Sequence, residues 1–440
     1  MELQLKNIGK VKEAKVKIGG LTVIAGVNDT GKSTIGKVMF CILMSAKYYD
    51  RWYKRRNNKK IKKIIDSFEK DFDLFCYNNN TKYVFDEIKK NKNNVKKIHS
   101  YVEWCENNNI DDNLKNTLNE LKEIKKEITE KDKFEEDINE VLNSCFAYYI
   151  NNSVHKDEGK IKFIDKGNEL ELLVDINNKV NVLKMDNIKK MYLQDVIFID
   201  NPLILDYGKR LNKKYKKNTK IAKNVIEYDL LNKLERIKEL TPMEINENKE
   251  KLKKIEKTIK EMTNDKDFKM INYNEVSFNK EKKDFQFKVE EYSDELDISN
   301  MASGGKTFSM LNLLIQCGII ANNKYLIILD EPENHLHPEW QVKYAKIIIF
   351  LIKYWNCNFI INSHSPYFIQ GLKYYGNRFD ITDKMNFYFA KSLEELTDKE
   401  KKEFNIIEIK KNYSLIKKID TLDEVFSKFQ EPIKEVFRNV

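Results

Sequence analysis

The sequence contains no closely spaced pair of cysteines. Structural zinc sites and disulfide frameworks need cysteines at short, regular spacings, and no C-x-x-C motif occurs. We therefore expect neither kind of site and interpret the thiols as reduced core residues. The six cysteines are Cys41, Cys76, Cys105, Cys145, Cys317 and Cys357.

Long apolar stretches are missing as well. No window approaches the roughly 20 uninterrupted apolar residues that a membrane-spanning helix needs, and the opening M-E-L-Q-L-K-N-I-G-K lacks the apolar core of a signal peptide. These absences predict a cytoplasmic protein without membrane contact. With 440 residues, 41% of them hydrophobic, the chain is long enough for two or three domains.

Arginine is scarce, although the net charge is +10. Because arginine is the residue that most often reads bases, the charge alone does not establish nucleic-acid binding. Two cationic tracts, residues 51–63 and 209–220, lack acids and interleave aromatics, which is typical of surfaces that follow a phosphate backbone. A solvated lysine-rich helix explains them equally well.

Recognisable nuclease motifs are absent. No D-x-D pair follows His364, and no arginine precedes a histidine at R-x-x-x-x-H spacing. Metal-dependent nucleases need carboxylate pairs like D-x-D, and R-x-x-x-x-H is a ribonuclease motif, so we expect any nuclease activity to lie in another protein. A carboxylate site without a recognisable motif remains an open alternative.

A phosphate-binding loop stands near the amino terminus. Residues 26–33 fit G-x-x-x-x-G-K-[ST] between a strand-like segment and a helical one, the context that this motif requires. In such a loop Lys32 reaches the β- and γ-phosphates and Ser33 binds Mg²⁺, so we predict ATP and Mg²⁺ as cofactors. The predicted nucleotide-binding residues are Gly26, Asn28, Asp29, Thr30, Gly31, Lys32, Ser33 and Thr34.

Two later apolar segments end in residues suited to phosphoryl transfer. Y-L-I-I-L-D-E-P ends in Asp330, predicted to bind Mg²⁺, and Glu331, predicted to polarise the attacking water. F-I-I-N-S-H-S-P places His364 just beyond another buried strand, where the active sites of parallel sheets gather. We predict Lys32, Glu331 and His364 as the catalytic residues.

A second G-K-T occurs in S-N-M-A-S-G-G-K-T-F-S-M, residues 299–310. It is not a second phosphate loop, because Asn300 stands where the first glycine should be and the preceding residues are polar. We predict instead a turn that opens a helix, whose exposed N–H groups bind phosphate. The residues of this turn are Ser303, Gly304, Gly305 and Lys306.

The order of these motifs resembles the heads of ATP-binding-cassette (ABC) ATPases. That resemblance implies that the Ser303 turn closes over a nucleotide held by another head, and so a homodimer or higher oligomer. Three motif sequences resemble those of the RecF, SMC and overcoming-lysogenization-defect (OLD) group. They are D-E-P-E-N-H-L-H-P, N-S-H-S-P-Y and M-A-S-G-G-K. The likeness is closest to small ATPases of anti-phage defence systems, such as those of PARIS and Septu.

The resemblance also implies roles for single residues. His364 becomes the switch histidine. The family's Mg²⁺-binding glutamine should precede the helical insertion, but no glutamine lies between Gln4 and Gln194. Gln194 is therefore the candidate, with a plain surface role as the alternative. The residues implied for the D-loop, which contacts the other head, are Glu333, Asn334 and His335.

Apolar periodicity predicts an α/β protein, an ATPase head interrupted by helical, partly coiled-coil insertions. The predicted parts are head residues 1–50, a helical insertion at 51–143, strand-rich head residues 144–206, a lysine-rich helical insertion at 207–266, and head residues 267–440.

Two functions fit this sequence. The resemblance implies an ATPase that dimerises head to head on ATP and acts as a sensor or scaffold for a separate effector, a nuclease or toxin, in anti-phage defence. The alternative is a RecF-like ATPase that binds duplex DNA directly in repair or maintenance. Co-purification of a second protein would favour the first function, and ATP turnover stimulated by duplex DNA the second.

Overall fold

The structure is a computed structural model that describes part of the chain in two compact units. One unit is Met1–Met44 with Asn139–Val440, and the other is Ser45–Ile138. The residues whose placement is described are 1–49, 51, 52, 63, 129–151, 157–207, 225–235, 239–263, 274–279, 284–288, 294–320, 323–397, 399, 400 and 413–422.

The described ranges contain the following strands and helices. The strands are β1 Glu2–Ile8, β2 Val11–Lys17, β3 Leu21–Ala25, β4 Gly159–Asp165, β5 Asn168–Val174, β6 Val180–Met185, β7 Asp195–Ile199, β8 Asn274–Asn279, β9 Asp284–Lys288, β10 Leu296–Asp297, β11 Tyr325–Asp330, β12 Asn358–Ser363, β13 Met385–Ser392 and β14 Ser414–Lys418. The helices are α1 at residues 32–49, α2 Glu130–Cys145, α3 Val225–Leu234, α4 Pro242–Thr263, α5 Ser303–Gln316, α6 Pro338–Trp355 and α7 Pro366–Arg378.

A large mixed sheet organises the first unit. Its strand order is β6-β5-β4-β1-β2-β14-β13-β3-β12-β11-β7. The last five strands, from β13 to β7, are all parallel to one another. A separate antiparallel sheet has the order β10-β9-β8. The predicted α/β class is confirmed, because the parallel strands alternate with helices along the chain.

Burial explains why the two kinds of strand differ in sequence. Strands β3, β7 and β12 are buried at every position, as expected for parallel strands that are covered on both faces. Strand β2 instead alternates between buried and exposed residues, which is the pattern of an antiparallel strand with one solvated face.

Strand register brings the motifs to one edge of the sheet. Ala25, the last residue of β3, pairs with Ser363 of β12, and Asp330 of β11 pairs with Asn362 of β12. Parallel strands present their carboxyl ends at the same edge, where ligands of open α/β sheets bind. The residues that follow β3, β11 and β12 are therefore neighbours in space.

A buried ion cluster attaches α3 to strand β7 of the large sheet. The ammonium group of Lys233 lies 2.9 Å from Asp195, at the start of β7, and also pairs with Asp229 and the carbonyl of Val196. Burial alone would lower the pKa of Lys233, but the two carboxylates raise it well above its usual range. Lys233 is therefore charged in the folded protein and depends on these partners.

Part of the second unit is described. In it Tyr49 packs edge-on against Phe134, with 6.0 Å between the ring centroids, and Phe134 and Ile138 are buried. No helix in the described ranges is both long enough and apolar enough to cross a membrane. The predicted boundaries of the insertions stay predictions.

Candidate nucleotide-binding site

The phosphate loop connects β3 to α1 through residues 26–31. Gly26 and Gly31 have φ angles of +155° and +77°, which only glycine adopts easily. A β-carbon at Gly26 would lie 2.8 Å from the carbonyl oxygen of Ala390. The Thr30 hydroxyl donates to the Val27 carbonyl at 2.8 Å and fixes the inside of the loop.

The rest of the loop closes onto the first turn of α1. The Thr34 N–H donates to the Gly31 carbonyl at 3.0 Å. Asp29 has a φ of +68° and forms an ion pair with Lys10, while Asn28 is exposed. The predicted nucleotide-binding residues thus form one continuous loop at the amino end of a helix, where backbone N–H groups favour anions.

Lys32 lies beneath this loop and is only 4% exposed. Its ammonium group donates to the Val27 carbonyl at 2.7 Å and lies 3.9 Å from Oε1 of Glu331. Burial lowers the pKa of Lys32, and the charges of Glu331 and Asp330 partly offset that effect. The loop therefore contains a buried cation at the position where the motif requires one for phosphate.

Ser33 and Asp330 offer the oxygen atoms that Mg²⁺ prefers. The Ser33 hydroxyl donates to Oδ1 of Asp330 at 2.9 Å, and the Asn362 amide donates to the same oxygen at 2.8 Å. Burial raises the pKa of Asp330, although these two hydrogen bonds oppose the rise. A hydroxyl and a carboxylate that already meet fit a Mg²⁺ ion shared with nucleotide phosphates.

Glu331 and His364 lie beside this pair. The Glu331 N–H donates to the Asn362 carbonyl at 2.9 Å, which turns the chain away from β11 with a φ of +50° at Glu331. Its Oε1 lies 3.5 Å from Nδ1 of His364, and its other oxygen accepts from Asn334 at 3.1 Å. The structure brings together all three predicted catalytic residues, Lys32, Glu331 and His364.

Glu333 is the buried member of the predicted D-loop. Its carboxylate is only 3% exposed and faces the segment that follows β12, and its D-loop role stays a prediction. Asn334 and His335 are exposed, and their D-loop role stays a prediction.

The prediction of Gln194 as a Mg²⁺ ligand is wrong. It precedes β7, where its N–H donates to the Lys324 carbonyl at 2.9 Å, at the amino ends of β7 and β11. Asp200 follows the opposite end of β7, six residues further on, about 20 Å away along the strand. Gln194 therefore lies at the wrong edge of the sheet.

Asp200 lies at the edge of the sheet where Asp330 is found. It follows Ile199, whose partner in β11 is Leu329, so it lies next to Asp330. Although the residue as a whole is exposed, partial burial of its carboxyl group raises the pKa of Asp200, and the charge of Asp330 adds to the rise. Both acids line a cavity of about 200 Å³ that also contacts Glu331 and Thr307.

The sequence carried one signal for Asp200. D-V-I-F-I-D is an apolar strand that ends in an acid, like the segment that ends in Asp330. What the sequence does not show is that β7 and β11 are neighbours.

The Ser303 turn opens α5, as predicted. The residue before it, Ala302, is exposed, and Ser303 is half-buried. A β-carbon at Gly304 would lie 3.2 Å from the Trp340 ring and 3.3 Å from the His335 carbonyl, so a larger residue here would crowd the segment after Glu331.

Lys306 does not face outward with the rest of this turn. It is buried, and its ammonium group lies 2.8 Å from Asp206 of the same chain. The Lys306 side chain is therefore engaged within its own chain, and the predicted role of Lys306 toward another head's nucleotide stays a prediction. The roles of Ser303, Gly304 and Gly305 toward a nucleotide stay predictions.

The two cationic tracts fall almost entirely outside the described residues. Only Arg51, Trp52 and Lys63 of the tract at 51–63 are described, and none of the tract at 209–220. Nucleic-acid binding by these tracts stays a prediction.

A family model described as an AAA ATPase domain matches residues 1–369. No curated protein matches the chain. Among solved structures, an SMC head domain from Thermotoga maritima is 9% identical with a TM-score of 0.37, covering 96% of this chain and 98% of that one. An SmcHead bound to the C-winged helix domain of ScpA is 11% identical with a TM-score of 0.39, covering 97% of this chain and 98% of that one.

A third solved structure is an Smc head domain with an extended coiled coil, bound to the C-terminal domain of ScpA derived from Pyrococcus furiosus. It is 10% identical with a TM-score of 0.38, and the match covers 98% of each chain. All three TM-scores are below 0.5, so the family match and the site geometry carry the assignment.

Proposed function

Because this chain belongs to the AAA ATPase domain family, we propose that two copies of it pair head to head on ATP and share their nucleotide sites. The chain is an ATPase, with the ABC-type head that its motif order predicts.

Different residues of one chain bind the phosphates, bind Mg²⁺ and activate the water for hydrolysis. The phosphate loop and Lys32 hold and orient the phosphates of ATP. Ser33 and Asp330 would hold Mg²⁺, which would neutralise charge on the β- and γ-phosphates. Glu331 orients and polarises the attacking water, because its carboxylate lies 3.9 Å from the ammonium group of Lys32, which holds the phosphates.

One observation supports the head-to-head arrangement. The amino end of α5 packs against His335 and Trp340, so the Ser303 turn adjoins the exposed side chains of Asn334 and His335. A helix amino end binds phosphate, and the chain's own phosphate loop already lies at the start of α1. The Ser303 turn therefore serves the γ-phosphate of ATP in the paired chain.

Mixing two inactive variants tests this arrangement. Lys32→Ala removes the phosphate loop lysine, and Ser303→Arg blocks the turn. In a heterodimer of the two, one composite site keeps both an intact Lys32 and an intact Ser303, so mixing should restore part of the ATP turnover. Two variants that stay inactive at every mixing ratio, while each still folds, would contradict the shared site.

We further propose that this ATPase regulates a separate effector in anti-phage defence. The motif sequences resemble those of defence ATPases, and the sequence has no recognisable nuclease motif. A nucleotide can switch such a partner only if the partner binds the nucleotide states with different affinities. The effector is a nuclease or toxin encoded nearby, which is held by the ATPase and released or activated when infection perturbs the complex.

A phage challenge tests this role. Cells carrying both the chain and its neighbouring gene should be protected, whereas cells with either alone, or with Lys32→Ala, should not. Full protection by the ATPase alone, or protection that survives Lys32→Ala, would contradict the proposal.

A further inference from the structure

Glu333 is a buried carboxylate within an otherwise exposed turn. Its side chain is 3% exposed, whereas the next two residues, Asn334 and His335, are exposed. Burying a carboxylate is costly unless hydrogen bonds compensate it. The contacts of the Glu333 carboxylate must therefore compensate the cost of burying it.

One oxygen of Glu333 holds the segment that contains His364. Oε1 accepts hydrogen bonds from the Ser363 hydroxyl at 2.7 Å, from the His364 N–H at 2.8 Å and from the Ser365 N–H at 3.1 Å. Hydrogen bonds to a charged acceptor are roughly twice as strong as neutral ones. A single side chain after β11 thus fixes the backbone just after β12.

The same oxygen also faces the imidazole ring. Nδ1 of His364 lies 3.4 Å from Oε1 of Glu333 and 3.5 Å from Oε1 of Glu331. Nδ1 is buried, although the His364 side chain as a whole is 35% exposed, so the rest of the ring faces outward. Within the described part of the chain, Oε2 of Glu333 and Nδ1 of His364 have no hydrogen-bond partner, so the approach of Nδ1 to the two carboxylates is an electrostatic contact.

We propose that Glu333 is a positioning residue for ATP hydrolysis, which orients His364 against Glu331 and keeps Nδ1 turned inward as the ring edge that carries a proton. A carboxylate beside one ring nitrogen selects which nitrogen is protonated and fixes the ring. The other nitrogen, Nε2, is then left on the outward-facing part of the ring. This inference rests on the proposed catalytic role of His364.

Substitutions separate the charge of Glu333 from its shape. Glu333→Gln keeps an acceptor oxygen for the three donors of the 363–365 segment but removes the charge next to the ring. Glu333→Asp keeps the charge but withdraws it by one methylene group. Because both leave the phosphate loop intact, we expect kcat to fall and KM for ATP to stay nearly unchanged.

A double-mutant cycle tests whether Glu333 acts through His364. The kcat and KM for ATP are measured for the wild type, Glu333→Gln, His364→Ala and the double variant, with thermal unfolding to confirm folding. Glu333→Gln should lower kcat by about 10- to 100-fold in the wild-type background, and by less than about twofold when His364 is already alanine. Glu339→Gln, at an exposed glutamate nearby, is the matched control and should change nothing.

The outcomes distinguish the positioning role of Glu333 from the catalytic role of His364. An equal loss of kcat in both backgrounds would overturn the positioning role alone, since Glu333 would then act independently of His364. Full activity of His364→Ala would remove the catalytic role of His364, and this inference with it. If Glu333→Gln fails to fold, the same cycle is run with Glu333→Asp, and the same two comparisons decide.

Discussion

The hydroxyl of Ser33 donates a 2.9 Å hydrogen bond to Oδ1 of Asp330, 297 residues later in the chain. The two residues meet because β3 and β11 both pair with β12, in parallel. The carboxylate at the end of β11 and the hydroxyl at the start of α1 thereby meet at one edge of the sheet. This contact joins the predicted phosphate loop and the predicted acid-tipped strand into one site.

Glu331→Gln should separate ATP binding from ATP turnover. The amide keeps the shape of the side chain but cannot polarise the attacking water, so kcat should fall by about 100-fold or more. Affinity for ATP, measured with a fluorescent analogue, should stay within about threefold of the wild type, since about 0.65 kcal/mol covers that change. Equal turnover by Glu331→Gln and wild type would exclude this role for Glu331.

Asp200→Asn should weaken the response to Mg²⁺. Removing a negative charge next to Asp330 costs about 1 kcal/mol of attraction for the cation, which is about fivefold in concentration. The measurement is the Mg²⁺ concentration that gives half-maximal binding of a fluorescent ATP analogue. Asp383→Asn, at an exposed aspartate, is the control; identical Mg²⁺ curves for both variants would remove Asp200 from the site.

Lys233→Met should destabilise the fold without changing the nucleotide site. It leaves the carboxylates of Asp195 and Asp229 buried without their cation, which costs about 3–5 kcal/mol. Urea unfolding measures the loss, with Lys190→Met, at an exposed lysine, expected to stay within about 0.5 kcal/mol. Equal midpoints for the two variants would show that the buried cluster contributes no stability.

Glu400 should give a stability that depends on pH. Burial alone would raise the pKa of Glu400, but hydrogen bonds from Lys417, Lys391 and Thr397 lower it well below its usual range. A lowered folded-state pKa stabilises the protein above the unfolded value of about 4.3 and loses that effect as pH falls further.

Comparing wild type with Glu400→Gln tests that sign. The free energy of unfolding should differ by about 2 kcal/mol at pH 7, and the difference should narrow as pH falls below about 4.3. A difference that stays constant from pH 7 to about pH 2.5 would contradict the ion-pair account.

The meeting of the predicted catalytic residues at one edge of the sheet could be predicted because each follows a local signal in the sequence. Asp330, Glu331 and His364 end buried apolar strands, and Lys32 lies in a motif whose flanking strand and helix are visible in the chain. Their meeting then depends only on the strands being parallel, since parallel strands share a carboxyl edge.

Asp200 and Glu333 could not be predicted, because their surroundings depend on distant parts of the chain. Asp200 reaches the site only because β7 is the neighbour of β11, and family resemblance pointed instead to Gln194, at the opposite edge. Glu333 reads as part of an exposed turn until its contacts with Ser363 and His364, about 30 residues later, bury it.

The oligomeric state of Glu331→Gln in ATP and Mg²⁺ tests the shared site most directly, because this variant should hold ATP without consuming it. Light scattering coupled to size-exclusion chromatography should give twice the 52.4 kDa of one chain with ATP, and a single chain without nucleotide. Adding Ser303→Arg to the same chain should leave it monomeric in ATP, because the turn can no longer close over the partner's γ-phosphate. A monomer of Glu331→Gln in ATP, or a dimer that Ser303→Arg does not disturb, would contradict the head-to-head site.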